Sequence, residues 1–173
     1  MKGDILKIIK ITGDNYAGHW DHTRMACRAV IIKEGKMLLS YETVTDQWMI
    51  PGGGIEGSES EKECCIREIA EETGIVADIS ECLLEIDEYY ENWKWVNRYF
   101  TGRCTGETER HLTKREKAVG MEPRWISPEE IKDIFSKYRD YADTDEMRSG
   151  MYLREYTALC ELEGYYSYNL HMD

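Results

Sequence analysis

The stretch Gly53–Ile75, GGIEGSESEKECCIREIAEETGI, decides how the chain is read. From position 59 to Thr73 its charged and apolar residues alternate with a helical period. Ser58 stands where a helix cap belongs, and Glu61 three positions on completes a capping box. Gly74 sits where a helix C-terminal glycine belongs. At about 3.6 residues per turn, Cys65, Ile66, Ile69, Ala70 and Thr73 fall on one side and form the expected buried stripe. Glu61, Glu68, Glu71 and Glu72 fall on the opposite side, with Glu68 one turn from both Glu71 and Glu72. Cys64 lies on the carboxylate side and reads as a half-buried packing residue rather than a nucleophile, because no His partner is indicated.

Like charges one turn apart cost an isolated helix roughly 0.2–0.5 kcal/mol per pair. Arg67 reaches Glu63 and Glu71 at a spacing of four and offsets part of that cost. A divalent cation would offset the rest, and Mg²⁺ is a hard ion that prefers oxygen ligands. Acidic helix faces are ordinarily solvated surface, so the wider pattern has to decide.

That pattern is Gly53, five residues, Glu59, seven residues, Arg67-Glu68-Ile69, one residue, Glu71-Glu72, one residue, and Gly74-Ile75. It resembles the box of the Nudix hydrolases, the MutT-like family, at every defining position. Trp48-Met49-Ile50-Pro51-Gly52-Gly53 also resembles the family's usual approach to the box. The resemblance implies an α/β fold, an α/β/α sandwich around a central mixed sheet. It implies that Glu68, Glu71, Glu72 and the Gly52 carbonyl bind Mg²⁺, with Mn²⁺ as the alternative ion. It implies that Arg67 orients the carboxylates and that Glu59 braces the loop–helix unit. The sequence Glu56-Gly57-Ser58-Glu59 departs from the family's usual Glu-x-Gly-Glu and leaves every metal position intact. The activity implied is hydrolysis of a diphosphate linkage in a small nucleotide or nucleotide-like molecule.

Elementary chemistry asks for the same parts. Cleaving a diphosphate needs charge neutralisation on phosphoryl oxygens and an activated water. A nearby carboxylate can take the proton, and Glu68, Arg67 and Glu116 are the candidate catalytic residues. Gly53, within the glycine run 52–54, lets backbone approach the ligand. Many Nudix enzymes also resemble one another in an acidic residue from the loop before the final strand. The matching segment holds Glu107, Glu109 and Glu116, and Glu116 is preferred because Lys114, Arg115 and Lys117 surround it as phosphate-attracting cations. A solvated charge cluster is the bland alternative. Arg24 and Arg28 begin a strand near the expected site. Arg28 is taken as a substrate-binding residue, against the alternative of a surface ion pair.

Outward from the box, Ile5–Thr12, Met25–Ile32 and Lys36–Glu42 read as strands, the last two joined by a turn at Glu34-Gly35. Residues 43–58 read as loop. Two strands are expected within 75–90 and 93–105 from Tyr89, Trp93, Trp95, Val96, Tyr99 and Phe100. Those aromatics suit core or cross-strand pairs, with stacking on a base as the functional alternative. Ser127-Pro128-Glu129-Glu130 marks a helix start, so C-terminal helices are expected over about 128–162. Met147, Met151, Tyr156, Leu159 and Leu162 suit packing, or a homodimer contact.

The chain has 173 residues and a formal net charge of −12. The length suits a single domain over residues 1–173. The charge argues against a nucleic-acid polymer as partner, and any phosphate site then needs local cations. Six cysteines without a CxxC pair, and an N-terminus without a signal-peptide pattern, point to reduced thiols and a cytoplasmic protein. No apolar run is long enough to span a membrane. His19 and His22 share a loop with Trp20 and read as incidental. Two other functions stand beside the hydrolase. One is a non-catalytic nucleotide sensor on the same fold. The other is an isoprenoid diphosphate isomerase, which the intact box argues against. ADP-ribose ranks lower as a substrate because Tyr90 stands where members acting on ADP-ribose often have Pro.

Overall fold

The computed structural model describes residues 6–169. Eight strands join one sheet: β1 (Lys7–Thr12), β2 (His22–Lys33), β3 (Lys36–Glu42), β4 (Gln47–Met49), β5 (Gly52–Gly54), β6 (Ile75–Tyr90), β7 (Trp93–Glu107) and β8 (Met121–Ile126). The order is β1-β6-β7-β2-β3-β4, with β5 on β2 and β8 on β3. The sheet is mixed, because β1 runs parallel to β6 and β2 parallel to β7 while the other pairs are antiparallel. The helices are α1 (Glu61–Thr73), α2 (Lys114–Ala118), α3 (Pro128–Ser136), α4 (Glu146–Glu161) and α5 (Glu163–Asn169), with a 3₁₀ turn at Lys137–Tyr141.

Strand periodicity builds the layers. On β2, Cys27, Ala29 and Ile31 face α1 and pack with Cys65 and Ile69. Val30, on the opposite face, joins Leu39, Leu84 and Tyr99 against Ile131 and Phe135 of α3 and Tyr152 and Leu159 of α4. The result is the expected α/β/α sandwich around a mixed sheet.

The Glu34-Gly35 turn forms as read, with both residues at positive φ (50° and 71°). Ser127 caps α3 through the expected capping box with Glu130. The first strand begins at Lys7, and Ile5 lies outside the described residues. The segment expected as loop over 43–58 contains β4 and β5, short strands held by their partners rather than by their own propensity.

The start of α1 differs by two residues. Ser60 is the cap and Glu63 closes the box. Two overlapping Ser-x-x-Glu patterns were available, and tertiary contacts chose between them. Glu59 is drawn into ion pairs with Arg67, while its Oε1 accepts from the Glu56 amide at 2.8 Å. Glu61 pairs with Arg98 of β7. Neither is then free to serve the first helical turn.

Candidate active site

Two glycines bring the box loop onto the sheet. Gly52 has φ +148°, and a Cβ there would collide with the Cys27 carbonyl of β2. A Cβ on Gly53 would overlap the Glu68 carboxylate, so that side chain lies directly against the loop backbone. Gly53 therefore contacts Glu68.

Arg67 is the hub. Its Nη2 donates to Glu59 Oε1 at 2.6 Å and to the Gly54 carbonyl at 3.0 Å. Its Nη1 donates to Glu68 at 2.9 Å and to Glu71 at 3.1 Å. The guanidinium holds the Glu59 carboxyl down at about 2. Sequence spacing offered Glu63 as a partner instead. Glu63 is committed to the Ser60 cap, and Glu59 takes its place.

The carboxylates do not share one environment. Glu71 is half-exposed. Burial raises the pKa of Glu68 despite Arg67 beside it. Glu72 is buried, contrary to its expected place on the solvent side, and desolvation pushes it up to about 8. Ser40 Oγ of β3 donates to it at 2.7 Å, and the Gly52 amide donates at 3.4 Å. The sheet-facing line of α1 is Cys65, Ile69, Glu72 and Thr73, joined by Cys64, while Ile66 is exposed and Ala70 half-buried. Cys64 Sγ contacts the Gly53 carbonyl, so it is a buried packing residue, more deeply placed than its helical position suggested.

Among the described residues, no three His, Cys, Asp or Glu side chains form a group ready to hold a metal ion. Arg67 is paired with Glu68 and Glu71, and Glu72 accepts from Ser40. The donor set nevertheless suits a hard divalent cation. Every donor is oxygen, and burial raises the pKa of Glu68 and Glu72, a cost that a bound cation would offset.

A cavity of about 370 Å³ opens beside Glu68, bounded by Arg24, Gly54 and Glu56. Arg24 is the cation at this cavity, with its guanidinium 5.7 Å from the centre of the Trp95 ring. Arg28 sits deeper. Its Nη1 donates to the Ile50 carbonyl at 2.9 Å, its Nε donates to Asn97 at 3.3 Å, and it lines a second cavity. Glu116 is on α2 rather than in an open loop. Its carboxylate accepts from the Thr113 amide at 2.8 Å as part of a capping box, yet its charge still helps raise the pKa of Glu68. Of its basic neighbours, Arg115 is paired with Glu42 at 2.9 Å. Glu107 ends β7 opposite Ile75, and Glu109 is exposed.

Sequence reasoning missed Ser40, and it missed a buried cluster of Glu88, Arg154 and Glu155. Glu85, Asp87 and Glu88 are three acidic residues within four positions among Leu84, Ile86 and Tyr89, which was the available signal. Leu159 and Leu162 pack in the core, with Met151 and Tyr156 against it, while Met147 is 86% exposed.

Comparison with known proteins agrees with this geometry. The NUDIX domain model matches residues 22–146. The chain is 24% identical over 144 residues to an RNA pyrophosphohydrolase of Erythrobacter litoralis, covering 71% of this chain and 88% of that one. It is 28% identical over 122 residues to Nudix hydrolase 25 of Arabidopsis thaliana, covering 56% of this chain and 66% of that one. The fold resembles a NUDIX hydrolase from Nitrosomonas europaea at a TM-score of 0.56 and 24% identity, over 64% of this chain and 76% of that one. A fold with α1 packed against a mixed sheet, and a loop–helix unit organised by Arg67, define a Nudix-type diphosphate hydrolase. The chain belongs to the Nudix family.

Proposed function

We propose that the chain is a Mg²⁺- or Mn²⁺-dependent enzyme that cleaves the diphosphate linkage of a small nucleotide, a nucleoside triphosphate or a related molecule. The observation that carries the reading is the Arg67 hub, which gathers Glu59, Glu68 and Glu71 under the Gly52–Gly54 loop beside a cavity that Arg24 lines.

Glu68, Glu71, Glu72 and the Gly52 carbonyl would hold the cation. When bound, it supplies charge neutralisation on the phosphoryl oxygens and lowers the pKa of a bound water. Arg67 fixes the carboxylates through its ion pairs. Gly53 and Gly54 let the backbone close on the phosphates, and Arg24 opposes their charge. Water attacks phosphorus, the bridging P–O bond breaks, and Glu68 takes the proton of the water. Glu116 would leave the Thr113 cap for the bound metal or its water, while the cations beside it in sequence, Lys114 and Lys117, attract the phosphates. Arg28 supports the loop at Ile50 and faces the second cavity rather than the diphosphate.

A second reading, cleavage at the 5′ end of an RNA, has a specific support, since three of the matched relatives are named RNA pyrophosphohydrolase. The net charge of −12 favours the small substrate. No helix of the described residues is long and apolar enough to cross a membrane. The six cysteines are all free, which supports placement in the reducing cytoplasm. The helices beyond the family match pack on the same sheet, which supports one domain over the whole chain. A homodimer through the α4 face has support only at Met147.

The test is a substrate panel with Mg²⁺ or Mn²⁺: nucleoside triphosphates, ADP-ribose, nucleotide sugars, dinucleoside polyphosphates and a short 5′-triphosphorylated RNA. Released phosphate, pyrophosphate and mononucleotide are read out. Metal-dependent cleavage at a diphosphate linkage is expected, and absence of cleavage across the panel would refute the reading.

A further inference from the structure

The Gly52 carbonyl differs from the other groups assigned to the cation. A carboxylate reaches an ion by turning its side chain, whereas a carbonyl is placed only by its backbone. Whatever pins residues 50–52 therefore bears on the site.

Three hydrogen bonds pin them. Arg28 Nη1 donates to the Ile50 carbonyl at 2.9 Å, and the Ala29 amide donates to the Pro51 carbonyl at 3.2 Å. The Gly52 amide donates to Glu72 at 3.4 Å, so the loop also steadies a second of the assigned groups. Arg28 pairs with Gly52 between β2 and β5, and a Cβ on Gly52 would lie 2.9 Å from the Arg28 Cγ. The stem of Arg28 thus packs on the α-carbon beside the carbonyl in question.

Arg28 is itself held from behind. Its Nε donates to Asn97 at 3.3 Å and lies 3.9 Å from Glu155. Asn97 donates to Glu88 at 2.8 Å. Arg154 of α4 donates to Glu88 at 3.2 Å and to Glu155 at 2.8 Å, and Tyr99 donates to Glu155 at 3.0 Å. Two guanidinium groups meet two carboxylates, and none of the four side chains is more than 13% exposed. Desolvation makes such a cluster weak ground for stability, but a satisfied buried network is rigid. Its outermost member, Arg28, is the one that touches the box loop.

From this arrangement we infer that Arg28 is a positioning residue for the cation, the link through which the buried cluster holds the Gly52 carbonyl in place. The inference rests on the reading that Glu68, Glu71, Glu72 and that carbonyl take up Mg²⁺ or Mn²⁺. It makes α4, which begins where the family match ends, a determinant of metal affinity.

Mn²⁺ titration followed by electron paramagnetic resonance reads that affinity without substrate. Arg28→Met is expected to weaken Mn²⁺ binding by about tenfold to a hundredfold, the scale for groups that orient metal ligands. Arg28→Lys, whose ammonium can still donate to the Ile50 carbonyl, is expected to recover most of the loss. Phe135→Leu disturbs the core on the same side of the sheet without touching the cluster's hydrogen bonds, and is expected to bind Mn²⁺ as the wild type does. If Arg28→Met does not fold, Asn97→Ala decides, with an expected loss of about twofold to tenfold, the scale of one hydrogen bond. Unchanged affinity in the deciding variant, or an equal loss in Phe135→Leu, overturns the inference. So does unchanged Mn²⁺ affinity with a raised KM for nucleotide, which returns Arg28 to the substrate and leaves the metal reading standing. A wild type that takes up no Mn²⁺, or that keeps its affinity in Glu72→Gln, removes the metal reading and the inference with it.

Discussion

Ser40 Oγ on β3 donates to Glu72 Oε2 on α1 across 2.7 Å, in a part of the structure closed to solvent. The hydroxyl is what the sheet offers a carboxylate that no cation contacts directly. It lowers the pKa of Glu72, while burial, the larger effect, raises it. Ser40→Ala leaves that oxygen with only the long bond from the Gly52 amide. An unsatisfied buried acceptor costs about 1–3 kcal/mol. Urea denaturation in EDTA is expected to show a loss of that size, and an unchanged midpoint would mean that the bond contributes nothing.

Glu68→Gln is expected to slow turnover by at least ~10²-fold, the scale of a positioned acid–base carboxylate. The substitution also relieves like-charge repulsion along α1, so thermal stability is expected to change little. Steady-state kinetics beside a melting curve separates the two effects, and turnover at the wild-type rate would remove Glu68 from the mechanism.

Arg67 makes the box sensitive to acid. The folded pKa of Glu59 is about 2, below its ordinary 4.5, so its contribution to stability is fully present above about 4.5. It is lost as pH falls toward about 2, where the folded form also takes up a proton. Glu63 and Glu130, held low by their capping serines, add to the same acid limb. Stability measured from pH 6 downward is expected to fall less steeply in Glu59→Gln than in the wild type. Parallel curves would show that the Glu59–Arg67 pair carries no linkage.

Glu116→Gln keeps a residue that completes the capping box with Thr113, so α2 is expected to stay folded. Turnover at saturating substrate and Mg²⁺ is expected to drop roughly tenfold, less than for a full general base. Glu107→Gln and Glu109→Gln are expected to keep full kcat. Loss confined to either of those two would move the role along the chain, and full kcat in all three would leave α2 a surface helix.

Arg154 is buried between Glu88 and Glu155, with Tyr99 accepting from its Nε at 3.1 Å. Arg154→Ala strands two buried carboxylates, and breaking such a pair costs about 3–5 kcal/mol. Chemical denaturation at neutral pH is the measurement. A loss below ~1 kcal/mol, the ceiling for most exposed pairs, would mean that water reaches the cluster.

The sequence by itself determined the family, the spacing of Arg67, Glu68, Glu71 and Glu72, the stop at Gly74 and the capped start of α3 at Ser127. These are local matters, set by residues within a few positions of one another, where helical period and capping chemistry suffice. The tertiary structure decided which of two overlapping serine caps opens α1, because Glu59 and Glu61 are claimed by Arg67 and by Arg98 of a distant strand. It turned Glu72 inward, since the helical period alone does not say which side of α1 meets β3, and Ser40 there supplied the donor. It placed Glu116 in a cap and Arg28 against the Ile50 carbonyl. It also built the second cavity, where residues of α4 meet Tyr90 of β6 and Trp95 of β7, far earlier in the chain. Burial and charge pairing across such separations depend on how helices settle on the sheet, and short-range spacing carries no record of that.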